Sequence, residues 1–235
     1  MSSRMILRVS RGLVPGAEGD PAFADYEVEA GEGMTVLDAL ETIRSGREPG
    51  LRYRHSCHHG SCGTCAAIID GKEGLMCLSR LDALAAGGGE SRDGLPVVRL
   101  EPLRKMKPLG DLAVDPEPLF KELPEGASYL RKSGLEHGGP PEEGGEYLRF
   151  EACIECGICV SACPVPEGKA FAGPAALAMA DRDREERPAR ENDALAFAAR
   201  PDGVTACEKA FACSRACPQG VAPGRRIANL RKSLG

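Results

Sequence analysis

Along the N-terminal half of the chain, apolar and polar side chains alternate in short runs. Leu7 and Val9 alternate with Arg8 and Ser10, and Tyr26 and Val28 alternate with Glu27 and Glu29. This is the period of half-buried strands, and the two runs predict a hairpin or sheet pair. The period then changes. Thr35-Val36-Leu37-Asp38 reads as a capping box, after which Val36, Leu37, Leu40 and Ile43 form one apolar face of a helix that packs on the sheet. Ala66 to Ile69, the Asp70-Gly71 turn, Leu75 to Leu78 and Val97 to Leu100 predict three further short strands. From Pro102 to Pro124 the prolines 108, 116 and 118 predict an extended surface connection and a domain boundary. Beyond it the chain turns alanine-rich. Pro174 suits the first position of a helix reaching towards Glu186, Pro188 stops that helix, and Ala194 to Ala199 form another. Ile227, Leu230 and Leu234 share one face of a terminal helix, while Gly138 to Gly145 predict a flexible loop. The expected class is α+β, with a strand-rich domain over residues 1–105 and an all-α domain over residues 106–235.

Composition agrees with that division. A chain of 235 residues has room for two modest domains, because one core usually serves roughly 100 to 150 residues. A hydrophobic share of 42% with 28% charged residues predicts a packed body and argues against disorder. No segment approaches the roughly 20 apolar residues that cross a bilayer, and Met1 to Gly16 lacks the apolar stretch of a signal peptide, so a cytoplasmic setting is expected. A net charge of -5 provides no basic stripe for a phosphate backbone, which argues against nucleic acid as a partner.

The cysteines change the picture most. There are 11, and in an unexported chain they predict metal and not disulfides. Cys57-x4-Cys62-x2-Cys65, closed by Cys77, has the plant-type spacing that holds a [2Fe-2S] cluster. Cys153-x2-Cys156-x2-Cys159-x3-Cys163-Pro164 is the bacterial ferredoxin pattern, whose fourth cysteine reaches a second cluster. An internal repeat supplies the rest: Cys207-x5-Cys213-x3-Cys217-Pro218 overlays that run, with Ala210 where its second cysteine would stand. By the crossover rule, Cys153, Cys156, Cys159 and Cys217 form a [4Fe-4S] site. Cys163, Cys207 and Cys213 form the other, and three thiolates with a methyl at the vacant corner predict [3Fe-4S]. Thiolates are soft ligands suited to iron-sulfur clusters. Gly60, Gly63 and Gly157 let backbone bend close to the sulfurs, and Pro164 and Pro218 fix the chain as it leaves each run.

Plainer readings compete at several places. Structural zinc is the ordinary use of a Cys-x2-Cys pair, but three interlocking sets with two Cys-Pro endings argue for iron-sulfur. His55, His58 and His59 crowd the first loop and suggest Rieske-type ligation, yet four cysteines are already there, which leaves the histidines as supporting or surface groups. The alternating charges from Asp181 to Arg190 predict a solvated helix face. Arg225, Arg226, Arg231 and Lys232 suit either an acidic partner or lipid headgroup, or favourable charge near a helix end.

The order of these domains resembles the iron-sulfur subunit of succinate dehydrogenase and fumarate reductase over nearly the whole chain. Beyond the cysteines the resemblance is carried by Cys62-Gly63-Thr64-Cys65-Ala66, Leu109-Gly110-Asp111-Leu112-Ala113-Val114-Asp115, Gly173-Pro174-Ala175-Ala176-Leu177 and Cys217-Pro218-Gln219-Gly220-Val221. It implies a β-grasp plant-type ferredoxin domain followed by a helical bacterial-ferredoxin-like domain, with the cysteine roles given above. It also implies a subunit of succinate:quinone oxidoreductase that sits peripherally on the cytoplasmic side of the cell membrane. Single electrons would pass between an FAD-containing flavoprotein, where the dicarboxylate chemistry occurs, and a quinone held by membrane-anchor subunits that can carry haem. No catalytic residue is expected in this chain itself.

The departures from that family are specific. Many ubiquinone-reducing members carry a tryptophan shortly after the Cys-Pro matching Cys163-Pro164 and a histidine after the cysteine matching Cys207. Here Val165-Pro166-Glu167 and Glu208 stand instead, with no tryptophan in the chain. Only Pro164 carries over as a quinone-proximal residue. An arginine commonly follows the first cysteine, where this chain has His58. A menaquinone-linked enzyme, or the same relay serving a soluble or thiol-linked fumarate reductase or another flavoprotein, fits these departures; a zinc-stapled interaction module is the reading from outside redox chemistry.

Overall fold

The computed structural model describes residues 3–12, 22–121 and 153–235. Two compact units divide the chain: Met1–Pro116 with Cys156–Ala162, and Glu117–Glu155 with Cys163–Gly235.

In the first unit, the alternating runs become β1 (Ser3–Arg11) and β2 (Ala22–Ala30), an antiparallel pair with Leu7 opposite Tyr26. Helix α1 (Val36–Gly46) starts at the expected cap: Asp38 N donates to Thr35 Oγ1 at 3.2 Å, and Thr35 N donates to the Asp38 carboxylate at 2.9 Å. Its buried face is Val36, Leu37, Ala39, Leu40 and Ile43. After the first cysteine loop come β3 (Ala66–Ile69) and β4 (Lys72–Leu75), joined at Asp70 and Gly71 with φ of 47° and 76°. Two positive φ angles in a two-residue connection make the turn that matches strand twist. This turn corrects the strand expected at Leu75 to Leu78. It places Lys72 opposite Ile69 and ends the pairing at Leu75 opposite Ala66, so Met76 to Leu78 form a turn. Helix α2 (Leu81–Ala86) escaped the pattern because it is one short stretch with Leu81 its only buried residue.

The sheet is completed by β5 (Ser91–Arg92) and β6 (Leu95–Glu101), in the order β2-β1-β6-β3-β4 with β5 on β6. β1 and β6 are parallel, and the other pairs are antiparallel. Met5, Leu7, Val9, Ile68, Val98 and Leu100 are buried along with the face of α1. Their removal from water is the main drive for this unit, at about 1.5–3 kcal/mol per large side chain.

The stretch from Pro102 to Pro124 is not simply extended. It forms a hairpin of β7 (Lys107–Gly110) and β8 (Ala113–Asp115), then α3 (Glu117–Lys121). The hairpin is held at its turn by Asp111, 4% exposed. That carboxylate accepts from the Arg11 guanidinium at 2.9 Å, Gly12 N at 3.0 Å and Arg52 N at 2.8 Å. The prolines hid this from sequence because the partners lie far away along the chain. Residues 122–124 and the expected loop Gly138 to Gly145 fall outside the described residues.

The first unit also includes α4 (Ile158–Ser161). Ser161 Oγ donates to Glu73 at 3.0 Å and accepts from Arg104 N at 3.0 Å, fixing a segment distant in sequence onto β4 and the chain after β6.

The described part of the second unit is helical. It comprises α3, α5 (Gly173–Glu186), α6 (Glu191–Ala199), α7 (Ala212–Ala216) and α8 (Pro223–Ser233). Its core is Ala172, Leu177, Ala180, Ala194, Ala198, Val204, Ile227 and Leu230. Leu234 departs from expectation: it lies past the end of α8 and is 40% exposed, because the helix stops before that turn repeats. The charge run is corrected as well. Asp181 is wholly buried and Asp183 nearly so. Asp181 meets Arg184 at 2.9 Å and Arg226 at 3.4 Å, and Asp183 meets Arg187 and Arg190. An alternating run reads as solvated only when no facing helix supplies a partner, and here α8 supplies Arg226. Arg231 likewise donates to the Val204 carbonyl, so two of the C-terminal cations are engaged within the unit.

Candidate metal centres

The loop between α1 and β3 carries Cys57, Cys62 and Cys65, and the turn after β4 brings up Cys77. Ser61 N and Cys62 N each donate to Cys57 Sγ at 3.3 Å, and Cys57 N donates to Cys62 Sγ at 3.5 Å. Thr64 Oγ1 lies 3.1 Å from Cys62 Sγ. The buried Cys65 thiol is in hydrogen-bond reach of Cys77 and close to Cys62. Burial works to raise the Cys57 thiol, but donation from the backbones of His59, Cys62 and Ser61 and from the Cys62 thiol brings it down to about 6. Burial dominates at Cys65, which is pushed up to about 12. Crowded thiols under burial cannot all ionise unless a cation shares the site, and N–H groups aimed at sulfur are what an iron-sulfur cluster uses. The donor set therefore fits a thiolate-bound cluster.

Two glycines serve these loops by geometry. At Gly60 φ is +77°, and a Cβ there would sit 2.8 Å from the Leu78 side chain. At Gly157 φ is +78°, and a Cβ would stand 2.1 Å from Met106 Cε, so glycine suits the turn into α4 and any other residue would displace the Met106 side chain.

Cys156 and Cys159 flank that turn in the first unit. In the second unit Cys153 and Cys217 interact, and burial raises the Cys153 thiol to about 11, with Cys217 adding to the rise. The thiols of Cys163, Cys207 and Cys213 also meet there. Burial raises Cys213, and its neighbours Cys163 and Cys207 raise it further. They border a small recess shared with Pro164, Phe171, Ala210 and Phe211. Lys209 N donates to Cys207 Sγ at 3.4 Å. Lys209 and Phe211 both have φ near +60°, which carries the chain tightly around Ala210. Ala210 thus faces the same recess as the three thiols, and Cys217 pairs with Cys153 across the repeat. Glu208 forms an ion pair with Lys169 at 3.5 Å.

Sequence reasoning singled out the histidines but not their partners. His55 Nδ1 is 3.1 Å from His58 Nε2, His55 Nε2 is 3.3 Å from Glu41, and His59 Nδ1 contacts the Cys57 carbonyl.

Known proteins share both halves of this arrangement. Residues 6–121 match the model of a 2Fe-2S iron-sulfur cluster binding domain, and residues 149–221 match that of a 4Fe-4S dicluster domain. The fumarate reductase iron-sulfur subunit of Mycobacterium tuberculosis is 36% identical, over 97% of this chain and 91% of the relative. The chain belongs to the family of iron-sulfur subunits of succinate dehydrogenase and fumarate reductase. Its family also includes the mitochondrial succinate dehydrogenase [ubiquinone] iron-sulfur subunit 1 of Oryza sativa, 29% identical over 90% of this chain and 75% of that one. The fold is shared with a chain of the Mycobacterium smegmatis Sdh1 complex in the apo form, at a TM-score of 0.68 and 24% identity, covering 100% of this chain and 96% of that one. As a member of this family the chain is an electron-transfer subunit of an oxidoreductase complex, with a 2Fe-2S and a 4Fe-4S domain. No helix among the described residues is long and apolar enough to cross a membrane.

Proposed function

We propose that this subunit relays single electrons between an FAD-containing flavoprotein that interconverts succinate and fumarate and a quinone held by a membrane anchor, sitting peripherally on the cytoplasmic side of the cell membrane. The N-terminal unit is read as a β-grasp ferredoxin domain and the helical unit as a bacterial-ferredoxin-like one. Cys57, Cys62, Cys65 and Cys77 would hold [2Fe-2S]. Cys153, Cys156, Cys159 and Cys217 would hold [4Fe-4S], and Cys163, Cys207 and Cys213 would hold [3Fe-4S]. Such clusters supply one-electron centres whose potentials follow cluster type, charge, hydrogen bonds and exposure. The protein's part is to position them and limit solvent: backbone N–H groups of Ser61, Cys62 and Lys209 donate to the sulfurs, while Val165, Phe171 and Ile227 keep the third set apolar on one side.

The observation that carries the three-iron reading is the recess where three thiols meet Ala210 and no fourth cysteine. Ala210→Cys is expected to raise cluster iron by one per chain and abolish the three-iron signal in low-temperature EPR; unchanged iron and spectra would sink the assignment. EPR of the native complex tests the wider relay. In the expected result, the oxidised sample shows a three-iron signal that succinate removes as a [2Fe-2S] signal grows in. Reduction by dithionite alone would point to the second reading, a relay for a soluble, thiol-linked or fumarate-directed flavoprotein. The Glu208–Lys169 pair and the missing tryptophan favour keeping that reading in view.

A further inference from the structure

The histidines of the first loop are not used by the relay, yet the fold gathers them. His58 follows the first cysteine with φ of +61°, a left-handed backbone that turns its ring edge-on to His55, centroid to centroid 5.2 Å. Glu41 comes from α1 and reaches the same place, where its carboxylate accepts from Tyr53 Oη at 3.2 Å. Glu41, His55 and His58 each offer one ligand atom, and three such atoms lie within 4.8 Å of one another. In a tetrahedral site with ligand bonds of about 2.0–2.1 Å, neighbouring ligand atoms stand about 3.3 Å apart. His58 Nε2 stands 3.1 Å from His55 Nδ1 and Glu41 stands 3.3 Å from His55 Nε2; because one ion takes a single His55 nitrogen, one of these separations already matches that spacing and the other closes from within 4.8 Å. The remaining closure is small, and His58 is exposed and free of core packing.

We propose that Glu41, His55 and His58 form a binding site for a divalent transition-metal ion of the zinc class, beside the first thiol set and separate from it. Two imidazoles and a carboxylate are a borderline-soft donor set of the kind that suits zinc, with one position left for water. The electrostatics point the same way. Arg44 Nη2 lies 3.0 Å from His55 Nε2 and 3.3 Å from Glu41 Oε1, so one cationic N–H bridges two acceptor atoms. A positive charge is what those acceptors call for, and in the ion-free protein the guanidinium supplies it. Arg44 also stacks on Tyr53, 4.5 Å from the ring centroid, so it can give up the bridge and keep a partner. Arg44 therefore competes with the metal. Tyr53 orients the carboxylate, as groups behind a ligand do. When bound, the ion would clip α1 to the cysteine loop.

The test is equilibrium dialysis of the cluster-loaded protein against zinc chloride, counting zinc, iron and sulfide by elemental analysis. The expected result is one zinc per chain with iron and sulfide unchanged. Glu41→Gln and His58→Asn should each weaken binding more than about tenfold, asparagine being chosen because it tolerates left-handed backbone. Arg44→Gln should tighten it. The proposal is overturned if no zinc is taken up. It also fails if uptake costs iron, which would mean exchange into the thiols, or if binding ignores all three substitutions. His58 is exposed, so His58→Asn keeps the test decisive should Glu41→Gln disturb the Tyr53 contact.

Discussion

The two thiol-bearing regions solve the same problem by opposite routes. In the first, three cysteines lie within nine residues of one loop and the fourth arrives one hairpin later, all carried by a sheet whose core is Met5, Leu7, Ile68, Val98 and Leu100 against α1. In the second unit, Cys153 meets Cys217 and Cys163 meets Cys207 and Cys213, so the contacts join the two ends of the sequence repeat. The core there leans on alanines: Ala172, Ala180, Ala194 and Ala198 are half of its eight members, and each buries far less surface than the leucines of the sheet. The sheet unit has enough apolar burial to form a loop and then offer it to metal. The helical unit, with less apolar burial, is expected to lean on metal at its thiols and on the buried Asp181 and Asp183 ion pairs.

The largest expected effect follows from that contrast. Removing the clusters should unfold most of the helical unit while the sheet persists, because metal binding at sites that do not preform is part of the folding free energy. Hydrogen exchange on cluster-free and loaded protein would read this by segment. Protection should vanish over α5 to α8 and remain over β1, β3 and β6; cooperative, native-like melting of the whole cluster-free chain would break the comparison. Next in size is Asp181→Ala, which leaves Arg226 and Arg184 without their buried partner. Losing one side of a buried network costs about 3 kcal/mol, to be read as a lower denaturant midpoint of the helical transition in loaded protein. A loss confined to a few tenths of that would show the network to be incidental. The smallest is Thr35→Ala, which removes a side chain accepting from Asp38 N at the start of α1. About 1 kcal/mol is expected, confined to the transition of the sheet unit. Were the helical transition to move equally, the two units would not be as independent in stability as their cores suggest.

Much of the sheet unit was legible in advance because its signals are local. Alternation marked β1 and β2, Thr35 and Asp38 marked the cap, and Asp70-Gly71 marked the turn between β3 and β4. The displaced strand at Leu75 to Leu78 shows the limit. Periodicity says that residues are buried, but the register set by the turn says which of them pair.

What the sequence by itself determined is the chemistry of the chain: how many thiols there are, how they are spaced, and that the repeat carries Ala210 where a cysteine would complete the pattern. Ligand number and loop spacing are linear properties, so a linear string can state them. Tertiary structure alone decided the rest. Asp181 became a buried charge with a partner because α8 faces α5 with Arg226. Asp111 became a clamp because Arg11 and Arg52 converge on it from residues far along the chain. Glu41 joined His55 and His58 because α1 lies beside the cysteine loop. Each of these depends on which side chains meet across long stretches of chain, and no local pattern encodes that meeting.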